Sequence, residues 1–72
     1  MTTEEKIELL IEFLNEDIKT SRSCEKLMKD RGSYEMANQF KYQRMTDEVI
    51  LRMLENDDFA KDMLKAVKGE LK

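Results

Sequence analysis

Apolar residues recur at steps of three and four along the first part of the chain, as far as about Lys29. The positions are Ile7, Leu10, Ile11, Leu14, Ile18, Cys24 and Met28. This spacing keeps side chains on one side of an α-helix, at about 100° per residue. Thr2 and Glu5 have the T-x-x-E spacing of a capping box, in which each side chain binds a free amide of the first turn. The pattern predicts a first helix over residues 3–29.

A tight turn and a second helix are predicted next. In the turn, Gly32 takes the left-handed conformation and Ser33 caps the helix that follows, over residues 34–55. The apolar residues of this helix form two groups, on adjoining sides: Met36, Phe40, Ile50 and Leu54, and Tyr42, Met45, Val49 and Met53. A charged strip predicted to face solvent consists of Lys41, Arg44, Glu48, Arg52 and Glu55. A helix that is apolar on two sides needs two neighbours.

A short third helix is predicted over residues 57–69. Asn56 supplies a side chain that can cap its first turn, and Gly69 supplies a residue that can end it. Its apolar residues share one side of the helix: Phe59, Ala60, Met63, Leu64 and Val67. A helix of this length is marginal in water without tertiary contacts. We therefore expect it to dock on the rest of the chain.

The predicted fold is all-α, an antiparallel helical hairpin with a short third helix. The chain has 72 residues, which predicts a single helical domain over 1–72. A domain this small buries only about 60% of the surface that its unfolded chain exposes. Association with further copies is a common remedy for so small a core. We therefore expect a small helical bundle that is completed by self-association.

A layer of polar residues interrupts the predicted hairpin interface. Folding about Gly32 brings together residues whose numbers sum to roughly 64, which sets Asp17 near Asp47 and Ser21 near Gln43. A carboxylate on an apolar side is costly unless it is paired, hydrogen-bonded or protonated. If the two carboxylates face each other, one should have a raised pKa, unless a neighbouring arginine neutralises them. The layer either fixes register and oligomeric state or contacts a partner or ligand.

Charge is unevenly distributed along the first helix. Residues 1–17 contain six acidic residues and one lysine, whereas residues 18–31 contain five basic and two acidic residues. The hairpin therefore has an acidic base and a basic tip. Two hairpins packed antiparallel would set each base against a tip, which predicts a symmetric dimer or a higher oligomer. The net charge of −3 does not favour nucleic-acid binding, which needs a basic surface.

The residue inventory argues against catalysis. The chain has no histidine, which excludes serine or cysteine triads and mixed Cys/His zinc sites within one subunit. Cys24 is best explained as a small residue of an apolar interface, because free cysteine is commonly buried. A single cysteine forms no internal disulfide, and no apolar run is typical of a signal peptide or a membrane span. We expect a cytoplasmic protein without enzymatic activity, catalytic residue, cofactor, metal site or membrane partner.

Two functions of different classes are consistent with this pattern. In the first, a homo-oligomeric adaptor or inhibitor binds a partner protein, a role common among small acidic helical proteins, including those of bacteriophages and mobile elements. Its methionine-rich binding surface would consist of Tyr42, Met45, Val49, Met53, Phe59 and Met63. In the alternative, an oligomer binds or sequesters an anionic small molecule such as a nucleotide. The residues for that site would be Arg22, Lys26, Tyr42 and Arg44.

Overall fold

The computed structural model describes residues 1–69, which form three α-helices and no strand. Helix α1 spans Thr3–Asp30, α2 spans Tyr34–Glu55 and α3 spans Asp57–Lys68. The predicted all-α fold and its three helices are confirmed. Residues 70–72 of the predicted domain lie outside the described residues. None of the three helices combines the length and the apolar character that crossing a bilayer requires.

The helix N-termini show how local sequence sets the element boundaries. At the start of α1, the Glu5 amide donates to Thr2 Oγ1 at 3.1 Å, and the Thr2 amide donates to Glu5 Oε1 at 3.2 Å. This reciprocal pair is the predicted capping box. At the start of α3, the Phe59 amide donates to Asn56 Oδ1 at 2.9 Å. Each side chain satisfies a backbone amide that has no partner inside the helix.

The turn between α1 and α2 is a Schellman motif built around Gly32. This glycine has φ 77°, and its amide donates to the Lys29 carbonyl at 3.0 Å, while the Ser33 amide donates to the Met28 carbonyl at 2.8 Å. The left-handed conformation predicted for Gly32 is confirmed. The prediction that the Ser33 side chain caps α2 is wrong. With φ −90° and ψ 72°, Ser33 departs from the extended conformation that aims a capping oxygen at the next amides.

The chain is flat. Its principal extents are 40 × 39 × 14 Å, and the smallest is little more than the diameter of one helix, about 10–12 Å. The radius of gyration is 15.1 Å, compared with about 11 Å for a compact domain of this length. Helix α2 contacts both other helices, whereas α3 makes no contact with α1 within the described residues. The three helices therefore form a single layer with no second layer over either broad side.

A single layer leaves most apolar side chains exposed. Within residues 1–69, the only buried apolar residues are Leu14 and Ala37, at 3% and 1% exposure. The chain exposes 5918 Å², whereas a compact monomer of its mass would expose about 4,700 Å². The excess is about 1,200 Å², and large exposed apolar side chains occur on all three helices.

Helix α3 docks on α2 through its first turns. The Arg52 guanidinium stacks over the Phe59 ring, 4.3 Å from its centroid, which is a cation–π geometry. Farther along α3, Leu64 is 53% exposed and Val67 is 81% exposed. The expected docking of α3 is therefore confirmed for its N-terminal half, whereas Leu64 and Val67 in its second half stay exposed among the described residues.

We predict that Leu14→Ala destabilises the fold far more than a comparable change at an exposed site. The substitution leaves a cavity at the interface of α1 and α2, for which a loss of about 2–4 kcal/mol in the free energy of unfolding is expected. Val67→Ala on α3 is the matched control, with an expected change below about 0.5 kcal/mol. Urea unfolding followed by circular dichroism measures both. Equal losses in the two variants would contradict the assignment of Leu14 to the core.

Candidate functional site

Asp17 and Asp47 meet across the interface of α1 and α2. Gln43 Nε2 donates to both oxygens of the Asp17 carboxylate, at 2.9 and 3.2 Å. The carboxyl group of Asp47 lies close enough to that of Asp17 for each to perturb the pKa of the other. The buried member is Asp47, which is 8% exposed, whereas Asp17 is half-buried. Asp17 is therefore the more accessible of the two carboxyl groups.

The two carboxyl groups have opposite pKa shifts. Burial raises the pKa of Asp47 to about 6, with further contributions from its hydrogen bond to Asp17 and from the charge of Asp17. The hydrogen bond from Asp47 lowers the pKa of Asp17, and the Gln43 amide lowers it further. Below a pH of about 6, a proton is thus held on Asp47 beside an ionised Asp17. This agrees with the expectation that one member of a facing carboxylate pair has a raised pKa.

Two polar atoms of this region have no hydrogen-bond partner. They are Ser21 Oγ and Asp47 Oδ2, and both residues are buried. The predicted proximity of Ser21 and Gln43 did not yield a bond, because the Gln43 amide is used by Asp17, one helical turn nearer the N-terminus of α1. The hydrogen bonds of the layer close within one hairpin. This arrangement favours a role of the layer in fixing helix register.

A network of charged side chains also joins the two helices. Arg44 donates to Glu25 and to Glu48 at 3.2 Å each, Arg22 lies 3.5 Å from Glu48, and Lys29 lies 3.0 Å from Glu25. The hydrogen bond from Lys29, followed by the one from Arg44, lowers the pKa of Glu25. The prediction that Arg44 faces solvent is wrong, because its side chain is only 20% exposed, whereas the Glu48 side chain is 42% exposed. Opposite charges on α1 make this contact favourable.

The residues predicted for an anionic ligand do not form one site. Arg22 and Arg44 meet at Glu48, so both guanidinium groups already face a carboxylate. Lys26 lies on the exposed surface of α1, and the exposed Tyr42 belongs to a groove on α2. A carboxylate at the centre of the cluster disfavours a second anion. The arrangement gives the nucleotide alternative no support, and that alternative stays a prediction.

An apolar groove follows α2 toward its junction with α3. It consists of two adjoining concavities of about 310 and 220 Å³ that share Met45 and Val49. The first is lined by Tyr42, Met45, Thr46, Val49 and Ile50. The second is lined by Met45, Glu48, Val49, Arg52 and Phe59. The Thr46 hydroxyl donates to the Tyr42 carbonyl at 2.9 Å, so the threonine has already satisfied its donor within α2.

Most residues predicted to bind a partner lie along this groove. Tyr42, Met45, Val49 and Phe59 line it, whereas Met53 and Met63 are half-buried one turn beyond Val49 and Phe59. Four further residues line the groove that the sequence did not predict to bind a partner: Thr46, Glu48, Ile50 and Arg52. Steps of four from Tyr42 reach two of them, Thr46 and Ile50, so helical spacing carried a signal for these two.

Other chemistry-bearing residues do not form a recognisable centre. Within residues 1–69, no group of three or more histidine, cysteine, aspartate or glutamate side chains is placed to hold a metal ion. Cys24 is a half-buried free thiol. Comparisons with protein-family models, curated proteins and solved structures found no match to this chain. The groove and the polar layer are therefore interpreted from their geometry alone.

We predict that Asp47→Asn abolishes a pH dependence of stability. The pKa of Asp47 is 3.8 unperturbed and about 6 in the folded chain. Its protonated form therefore stabilises the fold fully below pH of about 4, and this contribution is lost as the pH rises through about 6. The lowered pKa of Asp17 acts in the opposite sense and only below its unperturbed value of 3.8. The lowered pKa of Glu25 acts in that same opposite sense near its unperturbed value of 4.5. The window from about pH 5 to 6 therefore reports on Asp47.

The measurement is the free energy of unfolding of both proteins across this window. The wild type should lose stability as the pH rises, whereas Asp47→Asn should show a flat profile and melt a few degrees higher at pH 7.5, because its amide donates to Asp17 at every pH. Asp62→Asn, on the exposed surface of α3, should keep the wild-type slope. An unchanged slope in Asp47→Asn would contradict the shared proton.

Proposed function

We propose that this chain is a non-enzymatic, homo-oligomeric binding protein of the cytoplasm that acts as an adaptor or inhibitor. In this function it holds an amphipathic helix of a partner protein in the groove of α2 and α3. One observation carries the proposal: a continuous apolar groove is open to solvent, whereas only two apolar residues are buried among residues 1–69. Monomeric proteins rarely expose large contiguous apolar patches without an interaction to match.

The shape of the groove supports a helix as the occupant. Its floor follows Tyr42, Met45 and Val49, which are spaced at three and four residues along α2, and Phe59 of α3 stands at its end. Tyr42 is 64% exposed and Met45 is 45% exposed. A stripe with this spacing is complementary to the apolar stripe of a second helix, as in helix-in-groove recognition. Methionine adapts its shape to the partner's side chains.

The surroundings of the groove indicate the chemistry of the partner helix. Leu64 and Val67 are further exposed apolar side chains on α3, the helix that supplies Phe59. Glu48 and Arg52 lie at the edge of the second concavity, so polar residues of the partner are expected there. The partner is therefore a helix with large apolar anchors on one side and polar residues of both signs on its flanks.

The experiment is photo-crosslinking in producing cells with p-benzoylphenylalanine in place of Tyr42. We expect a covalent adduct with a single heterologous protein, located to a helix of that protein by mass spectrometry. The same photo-reactive residue in place of Asn15, an exposed position of α1, is the matched control and should give no such adduct. Adducts with copies of this chain alone would contradict the proposed function.

We further predict that Met45→Asp abolishes capture of the crosslinked protein. A carboxylate placed on the groove floor would have to be desolvated when the partner's apolar side chains bind. With the purified partner, the affinity of Met45→Asp should fall at least about 100-fold, measured by isothermal titration calorimetry. Asn15→Asp should bind like the wild type, and circular dichroism should show equal helicity in all three proteins. Unchanged binding of Met45→Asp would contradict the groove as the site.

A further inference from the structure

The hairpin of α1 and α2 has two broad sides that differ in chemistry. Asp17 and Gln43 meet on one side, and Arg22 and Glu48 meet on the other. Asp17 and Arg22 are five residues apart, which separates them by about 140° around α1. The side of Arg22 and Glu48 carries the charged network. Apart from the Asp17 carboxylate, the side of Gln43 is uncharged where the two helices meet.

Exposed apolar residues gather on the side of Asp17 and Gln43. On α1, Phe13 lies one turn before Asp17, and two steps of seven from Phe13 reach Leu27. On α2, the residues seven positions before and after Gln43 are Met36 and Ile50, which are both large and apolar. We call this set the apolar face: Leu9, Phe13, Leu27, Met36 and Ile50. Their exposures range from 38% to 62%, and Phe13 is the most exposed of the five.

We propose that the apolar face packs against the apolar face of a second copy of this chain, with the basic tip of each hairpin over the acidic base of the other. The two-fold axis then lies in the interface and crosses α1 near its middle, so that α1 packs antiparallel on α1 of the second copy. The result is a four-helix bundle whose two layers are the two hairpins. This inference rests on the self-association part of the proposed function. The apolar face shares only Ile50 with the groove of α2 and α3, whose other lining residues stay available to the partner.

The exposed area fits a second copy. The surface in excess of a compact monomer, about 1,200 Å², exceeds the area of about 800 Å² that each partner buries in a standard stable interface. An interface of two like faces is self-complementary, because each face supplies the surface that the other lacks. The remaining excess is consistent with a separate groove for a heterologous helix.

Charge selects the orientation of the two copies. The acidic base comprises residues 1–17 of α1 and the end of α2, where Asp47, Glu48 and Glu55 outnumber Arg52. The basic tip comprises residues 18–31, with three more positive than negative charges. An axis parallel to the helices would stack tip on tip and base on base. The axis across the helices sets residues 1–17 of each α1 against residues 18–31 of the other, and like charges meet only at the axis, where the two Asp17 carboxylates lie. Opposite net charges therefore face each other over most of α1, which is the arrangement that electrostatics favours.

The first test is the oligomeric state of Phe13→Asp by sedimentation equilibrium. The wild type should form dimers or multiples of them. In Phe13→Asp the dissociation constant of the dimer should rise at least about 100-fold. Because the dimer is symmetric, the substitution removes a buried ring from both copies. Phe13→Leu should remain associated. Phe13 is 62% exposed within one chain, so helicity by circular dichroism should be unchanged. A monomeric wild type, or an unchanged Phe13→Asp dimer, would overturn the inference.

The second test maps the orientation with a short bis-maleimide crosslinker. Leu10→Cys adds a thiol in the base to the native Cys24 in the tip. Fourteen residues separate the two positions along α1, about 21 Å, so the reagent does not join them within one chain. Tip-over-base packing should give dimers in which residue 10 is linked to residue 24. Links confined to 10–10 or 24–24, or no dimer product, would overturn the orientation.

Met45→Asp and Phe13→Asp together show whether partner binding or self-association fails. Met45→Asp should keep the oligomeric state of the wild type while it loses the heterologous partner. If Met45→Asp dissociates the oligomer and Phe13→Asp does not, the groove is the self-association surface and the inference is overturned. If Phe13→Asp dissociates the oligomer and no heterologous adduct forms at Tyr42, the inference stands and the proposed partner binding fails.

Discussion

The seam between α1 and α2 is the contact on which the rest of this structure depends. Helices arranged in one layer can bury apolar surface only along the lines where neighbours meet, and this seam is the one long line of contact in the described chain. Leu14 and Ala37 are its buried apolar residues. A small apolar seam provides little stability, since a domain of this size is marginal even when it is compact. The flat architecture thus creates both a weak monomer and a large apolar surface.

Polar contacts give the seam its register. On one side Gln43 and a shared proton hold Asp17 and Asp47 together, and on the other side Arg44 links α2 to Glu25 of α1. A slip of one turn would break both sets of bonds and leave charges without partners at the seam, which is costly. Such contacts add little net stability when they are compared with apolar packing. Their contribution is to make one alignment of the hairpin better than its alternatives.

The remaining apolar surface lies in two places with different shapes. The groove follows α2 toward α3, with Met45 and Val49 shared by its two concavities, Tyr42 in the first and Phe59 in the second. The apolar face of the hairpin is broad, nearly uncharged and bordered by regions of opposite charge. A groove along one helix can bind a single helix of a partner, whereas a broad self-complementary face can pack against a second hairpin. Both proposals follow from the same cause, which is that one layer of helices cannot cover itself.

Local sequence determined the helices and their ends, because capping boxes, a left-handed glycine and 3.6-residue periodicity act over a few residues. For that reason the sequence predicted the helix caps at Thr2 and Asn56 and the left-handed turn at Gly32. It also predicted the apolar stripe from Tyr42 to Val49. The tertiary structure decided which side of α2 meets α1. Arg44 looks solvated in one helix, and only the opposite charge of Glu25 on α1 makes its partial burial favourable. The tertiary structure also decided that Asp47 rather than Asp17 is buried, since burial depends on how the helices cross and not on the spacing within either one.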